Sequence, residues 1–162
     1  MRPVFIGGCD RSGTTLLGAM LGAHSECLCV PESQFKVDVL RFLKRDQADV
    51  DLSYAFNRIK RHWRFKIWEL DINLSPSAIT EMQGSYSKLI EWIVSQYGKQ
   101  VDKPDPRIWV DHTPSNLKYA ATLVDLFPEA RFIHIVRDGR AVASSVMPLD
   151  WGPNTIIRAA HW

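Results

Sequence analysis

Arg11 lies in a glycine loop between an apolar run and a helix start, a placement suited to holding an anion. Val4 to Ile6 reads as a buried strand, Gly7, Gly8 and Gly13 as the loop, and Thr14 as the opening of a helix. Backbone N–H groups at a helix N-terminus have no intrahelical partner, and the helix dipole favours negative charge there. Arg11, Ser12, Gly13, Thr14 and Thr15 add a guanidinium and three hydroxyls in five consecutive positions. The expected chemistry is the binding of a phosphate.

Gly8 to Thr15 fits the G-x-x-x-x-G-x-T frame of a P-loop, with one decisive change. Thr14 stands where an NTPase carries the Lys that reaches the β- and γ-phosphates. The cation has moved into the loop, as Arg11. Such a site is equipped to hold a phosphate and poorly equipped to cleave a nucleoside triphosphate. A second stretch, Val136 to Ser145, places Arg137 at a strand end and Asp138 as a helix N-cap. Ser145 follows Arg137 by eight residues, about two helical turns. A guanidinium and a hydroxyl so spaced can hold a second phosphate from one side. Alone, that stretch reads equally well as a capped helix with a surface Arg.

The elements that must position these groups alternate. Cys27 to Val30, Arg107 to Asp111 and Arg131 to Val136 read as further strands, the last buried on both faces. Leu16, Leu17, Met20 and Leu21 form the apolar stripe of the first helix, and Gly18 and Gly22 let it lie close to the sheet. Residues 35 to about 66 are helical in pattern. Ser75-Pro76 and Thr113-Pro114 open helices, with Thr113 as an N-cap. Trp151 starts another. Alternating strands and helices predict an α/β domain with a mainly parallel sheet, whose ligands bind at the carboxyl ends of the strands. Arg11, Glu32, His112 and Arg137 all fall just past predicted strand ends, so the fold can bring them to one edge.

The 162 residues suffice for one domain with a real core, and 46% hydrophobic residues exclude a disordered chain. A net charge of +2 does not indicate nucleic acid. Cys9, Cys27 and Cys29 cannot form a closed disulfide framework and lack zinc-finger partners, which points to a reducing compartment. Cys9 lies beside a helix N-terminus that can lower its pKa. No apolar run approaches transmembrane length and the first strand begins almost at Met1, so a cytoplasmic location is expected. Residues 36–66 carry nine Lys and Arg against four Asp, with Trp63, Phe65 and Trp68 interleaved. This is either a face for an acidic acceptor or, the preferred reading, a solvated helix with aromatics in the core. His134 is expected to be packed within its strand.

The two motifs in order resemble the sulfotransferases that use 3′-phosphoadenosine 5′-phosphosulfate (PAPS). Arg11-Ser-Gly-Thr-Thr15 is similar to that family's 5′-phosphosulfate loop, and Arg137 with Ser145 to its 3′-phosphate motif. The tyrosylprotein sulfotransferases and their bacterial relatives are the branch most resembled. The likeness covers residues 3–30 and 107–147 and is thin across 35–105. It implies a P-loop-like three-layer α/β fold and sulfuryl transfer from PAPS to a hydroxyl or amine, with no metal. It also implies that residues 1–162 are one domain, the N-terminal portion of a longer catalytic domain.

By the same resemblance Glu32 matches the general base, while His112 replaces a Lys that stabilises the transferring group. Other branches use His as base, so the assignment between Glu32 and His112 stays open. A helix-start Glu stabilised by the dipole and a polar helix-start His are the plainer readings. The acceptor is open among peptide tyrosine, carbohydrate, lipid and small alcohol. Two alternatives remain. A P-loop nucleotide kinase or NTPase would need Asp111 as its Mg²⁺ ligand. A non-catalytic fragment would bind 3′-phosphoadenosine 5′-phosphate (PAP) and transfer nothing.

Overall fold

Four short apolar runs pair into one sheet in the computed structural model, which describes residues 1–43 and 50–161. The strands are β1 (Arg2–Gly8), β2 (Cys27–Val30), β3 (Ile108–Asp111) and β4 (Arg131–Ile135). Their order is β2-β3-β1-β4 and every pairing is parallel. Both Phe5 and Val30 lie opposite Asp111, and Gly8 lies opposite Ile135. The carboxyl ends of all four strands therefore open on one edge of the sheet, the edge where such sheets bind ligands. The α/β class and the parallel sheet expected from the sequence are those observed.

Side-chain alternation divides the core between two faces. Phe5, Leu28, Val30 and Trp109 point into a large cluster with Phe35, Ile59, Leu89 and Ile93. The helices that supply it include α2 (Phe35–Asp38), α3 (Leu52–Arg61), α4 (Trp63–Lys66), α5 (Pro76–Met82) and α6 (Tyr86–Gln100). A 3₁₀ turn (Val39–Phe42) follows α2. Ile6, Cys27 and Val110 point the other way, against Leu17 and Leu21 of α1 (Thr14–Gly22). Helices thus cover both faces, in three layers. Beyond β3 a 3₁₀ segment (Pro114–Tyr119) leads into α7 (Ala120–Leu126). After β4 come α8 (Gly139–Val146) and α9 (Ile156–Ala160). No described helix is long and apolar enough to cross a membrane.

Several expectations are corrected. Leu16 and Met20 are exposed, at 68% and 65%. Only Leu17 and Leu21, with Gly18 and Gly22, face the sheet, and a step of one residue turns a side chain by about 100°. A Cβ on Gly18 would stand 2.9 Å from His112 Cβ, so the close approach needs glycine. β4 is not buried on both faces: it is the last strand in the sheet order, its apolar residues are half-buried, and His134 is exposed. Thr113 does not cap a helix with its side chain, and the segment after it winds as 3₁₀ before becoming α7. The last helix begins at Ile156, capped by Thr155, not at Trp151. Phe65 and Trp68 are core residues as expected, but Trp63 is 57% exposed. Lys44, Arg45, Asp46 and Asp49 of the basic stretch lie outside the described residues.

Candidate functional site

The loop between β1 and α1 adopts two left-handed residues. Arg11 has φ 66° and Gly13 has φ 102°. The second is a conformation that L side chains rarely adopt, and a Cβ on Gly13 would meet nothing within 4 Å. The space in front of the α1 N-terminus is therefore open to a ligand. Ser12 N donates to Cys9 O at 3.2 Å and tightens the turn. Ser12 Oγ is buried with no hydrogen-bond partner among the described residues.

The second motif closes on the first. Arg137 Nη1 donates to Arg11 O at 2.6 Å, and Arg11 Nε donates to Ser145 Oγ at 3.1 Å. Asp138 caps α8 by accepting from Arg140 N at 2.9 Å, which fixes where Ser145 falls two turns later. Arg11, Gly13, Thr14, Thr15, Arg137 and Ser145 line one cavity of about 920 Å³. Glu32, Trp63, Arg64 and Trp151 line it too. Trp63 and Arg64 were missed as site residues. The only signal for them was the interleaving of aromatic and basic residues, which reads more readily as a helix face.

Glu32 follows β2 and is half-buried. Arg64 Nη2 lies 2.7 Å from Glu32 Oε2, an atom otherwise without a hydrogen-bond partner among the described residues. Burial pushes the Glu32 carboxyl up, while Arg64 and then His112 pull it back, and Asp10 and Asp111 add to the rise. Trp68 Nε1 donates to Glu32 O at 3.2 Å and anchors the backbone. His112 does not line the cavity. Its ring packs against Gly18, and its Nδ1 is buried without a hydrogen-bond partner among the described residues. Of the four strand-end residues, Arg11, Glu32 and Arg137 share the cavity and His112 stands behind it. Cys9 is exposed, and its thiol is pushed up by partial burial and by Asp10, so it is not activated.

Beneath these groups runs a buried polar network. Lys36 Nζ lies 2.8 Å from Asp111 Oδ2, with both side chains fully buried. Lys36 Nζ also donates to Asn116 Oδ1 at 2.7 Å and to Ser33 Oγ at 3.1 Å. Ser33 Oγ donates to Asp111 Oδ2. Thr113 N and Oγ1 donate to Asp111 Oδ1 at 2.8 and 2.6 Å, which is where the expected capping hydroxyl is spent. Asn116 Nδ2 reaches Ile6 O at 2.9 Å and ties the network to β1. Burial alone would raise the Asp111 carboxyl, but Lys36 and the hydroxyl donors hold it down to about 2. Asp111 is fully enclosed and already paired, so it does not suit the Mg²⁺ role that a kinase would require.

A sequence profile described as "Sulfotransferase family" matches residues 3–160. The chain belongs to the sulfotransferase family. It is 31% identical over 146 residues to a protein-tyrosine sulfotransferase of Drosophila melanogaster, covering 89% of this chain and 25% of that one. It is 32% identical over 146 residues to protein-tyrosine sulfotransferase 1 of Homo sapiens, covering 89% and 33%. The chain thus spans about a quarter to a third of the length of these relatives. The crystal structure of sulfotransferase STF9 from Mycobacterium avium aligns over 89% of this chain and 45% of its own, at 19% identity and a TM-score of 0.40.

Proposed function

We propose that this sulfotransferase-family chain binds PAPS and moves its sulfuryl group to a hydroxyl. The observation that carries the proposal is the contact of Arg11 Nε with Ser145 Oγ, which brings the two phosphate motifs to one cavity. The residues present fit such a donor. The loop is open in front of Gly13, the first-turn N–H groups of α1 face no intrahelical acceptor, and Arg137 has spent one of its five N–H donors on Arg11 O. Arg137 and Ser145 would hold the 3′-phosphate. Arg11 to Thr15 would hold the 5′-phosphosulfate.

When bound, PAPS supplies an activated sulfuryl group and a phosphate leaving group. Arg11 and the hydroxyls of Thr14 and Thr15 supply donors where negative charge grows as the S–O bond breaks. Glu32 accepts the proton that the acceptor hydroxyl loses. His112, outside the cavity, supports Glu32 by its charge when protonated. Positioning and charge stabilisation carry the rate, as in phosphoryl transfer. Two of the relatives are named as tyrosine sulfotransferases, which makes a peptide tyrosine the first acceptor to test.

Calorimetric titration with PAP, AMP, ADP and ATP, with and without Mg²⁺, tests the nucleotide reading. PAP-selective, Mg²⁺-independent binding is expected. Mg²⁺-dependent ATP binding would overturn it in favour of a kinase. Incubation with labelled PAPS and tyrosine-containing peptides then tests transfer.

A further inference from the structure

Arg64 is held at the cavity by three separate contacts. Its backbone N–H donates to His62 Nδ1 at 3.2 Å, its Nε donates to Gln34 Oε1 at 2.9 Å, and its guanidinium carbon lies 4.0 Å from the Trp63 ring centroid. One tip of the fork, Nη2, is set against Glu32 Oε2 at 2.7 Å. The Glu32 side chain is 19% exposed and that of Arg64 is 25% exposed, so the contact is shielded from bulk water. A mobile surface Arg would not be braced in this way.

We infer that Arg64 is the positioning residue of the base: it takes the buried Oε2 of Glu32, turns Oε1 towards the acceptor and keeps the carboxyl ionised. The inference rests on the sulfuryl-transfer reading in which Glu32 is the base. The need for such a partner is physical. A carboxyl withdrawn from water tends to hold its proton, and a protonated Glu32 cannot accept another. The charged groups around Glu32 come from several elements. Arg64 of α4 and His112 beyond β3 favour its ionised form, and Asp10 of the loop and Asp111 of β3 disfavour it. Lys36 of α2 also feels Glu32, but its ammonium is paired to Asp111. Arg64 is the group in direct contact.

The test is a ¹³C NMR titration of the Glu side-chain carboxyls, with the Glu32 signal assigned by its loss in Glu32→Gln. Arg64→Gln is expected to move the Glu32 midpoint up by roughly one pH unit or more, because an opposite charge within contact distance has been removed. Arg64→Lys should restore most of the shift. Gln34→Ala, which loosens the brace and leaves the charge, should move the midpoint in the same direction by less. The acid limb of the kcat profile should follow the midpoint while the PAP Kd stays the same. A midpoint unmoved in Arg64→Gln overturns the inference whether or not transfer is detected. A midpoint that moves without the kcat limb also overturns it, because Glu32 is then not the group that limits transfer. Absence of PAP selectivity in the unaltered protein would instead sink the functional reading, and the NMR midpoint would still decide whether Arg64 controls Glu32.

Discussion

Lys36 Nζ lies 2.8 Å from Asp111 Oδ2, and neither side chain is exposed to solvent. Ser33, one neighbour of Glu32, and Thr113, one neighbour of His112, both bond to the Asp111 carboxylate. Ser33 N also donates to Thr113 Oγ1 at 2.9 Å. The pair therefore joins the segment after β2 to the segment after β3, directly behind the cavity.

Breaking that pair should cost more than it looks on paper. Lys36→Met leaves Asp111 buried and without its counter-charge, a loss of about 3–5 kcal/mol. Denaturant unfolding measures it. The pair also predicts acid sensitivity. The ordinary aspartate value is 3.8 and the folded value is about 2, so folding favours the ionised form. The contribution, on the order of 2 kcal/mol, is fully present above 3.8 and is lost as the pH falls through about 2. Asp111→Asn should flatten this part of the stability profile. An unchanged slope between pH 4 and pH 2 would show that other groups set it.

Arg11→Ala should reduce turnover by roughly 10²–10³-fold, the loss typical of one donor aimed at transition-state charge. PAP affinity should fall much less, because the loop N–H groups and Arg137 remain. Steady-state kinetics beside calorimetry separates the two effects. Equal turnover in the variant would remove Arg11 from the chemistry and leave it a loop residue that braces Ser145.

The difference between what the sequence carried and what it hid follows from sequence distance. Arg11 to Thr15 and Arg137 to Ser145 are local patterns, each fixed by one turn and one helix, and the glycines and the Asp138 cap disclose both. Glu32 and His112 were legible as strand-end positions. Their different standing was not, because it depends on Gly18 admitting the His112 ring against α1. Arg64 reaches Glu32 across 32 positions of sequence and Lys36 reaches Asp111 across 75. No period or spacing encodes such pairings. Thr113 shows the same limit: its sequence context is that of an N-cap, and a buried carboxylate claims its hydroxyl. Burial of β4 was overestimated because an apolar run does not reveal that its strand comes last in the sheet.

Arg137→Ala should erase the preference for PAP over AMP. The lost charge-assisted contact is on the order of 1.5–3 kcal/mol, or roughly 10- to 150-fold in Kd. Ser145→Ala should act in the same direction but more weakly, since it removes a neutral partner. Both variants also disturb Arg11, through Arg137 Nη1 to Arg11 O and Arg11 Nε to Ser145 Oγ. A modest drop in turnover is therefore expected alongside the change in selectivity. Equal binding of PAP and AMP by the unaltered protein would reduce the second motif to a capped helix.

Glu32→Gln should abolish most turnover, by roughly 10²–10⁴-fold, while PAP binds as before. The amide keeps the shape of the side chain and cannot take the proton. His112→Ala should slow transfer less, because His112 lies outside the cavity and, on the proposed reading, acts only through its charge on Glu32. The sign of its pH effect follows. The His112 charge pulls the Glu32 carboxyl down, so its removal lets burial push that carboxyl further up. The acid limb of the His112→Ala profile should therefore move to higher pH, as with Arg64→Gln but by less. The reverse pattern, Glu32→Gln active and His112→Ala inert, would transfer the base to His112. The His112 ring would then have to leave its packing against Gly18 to reach the acceptor.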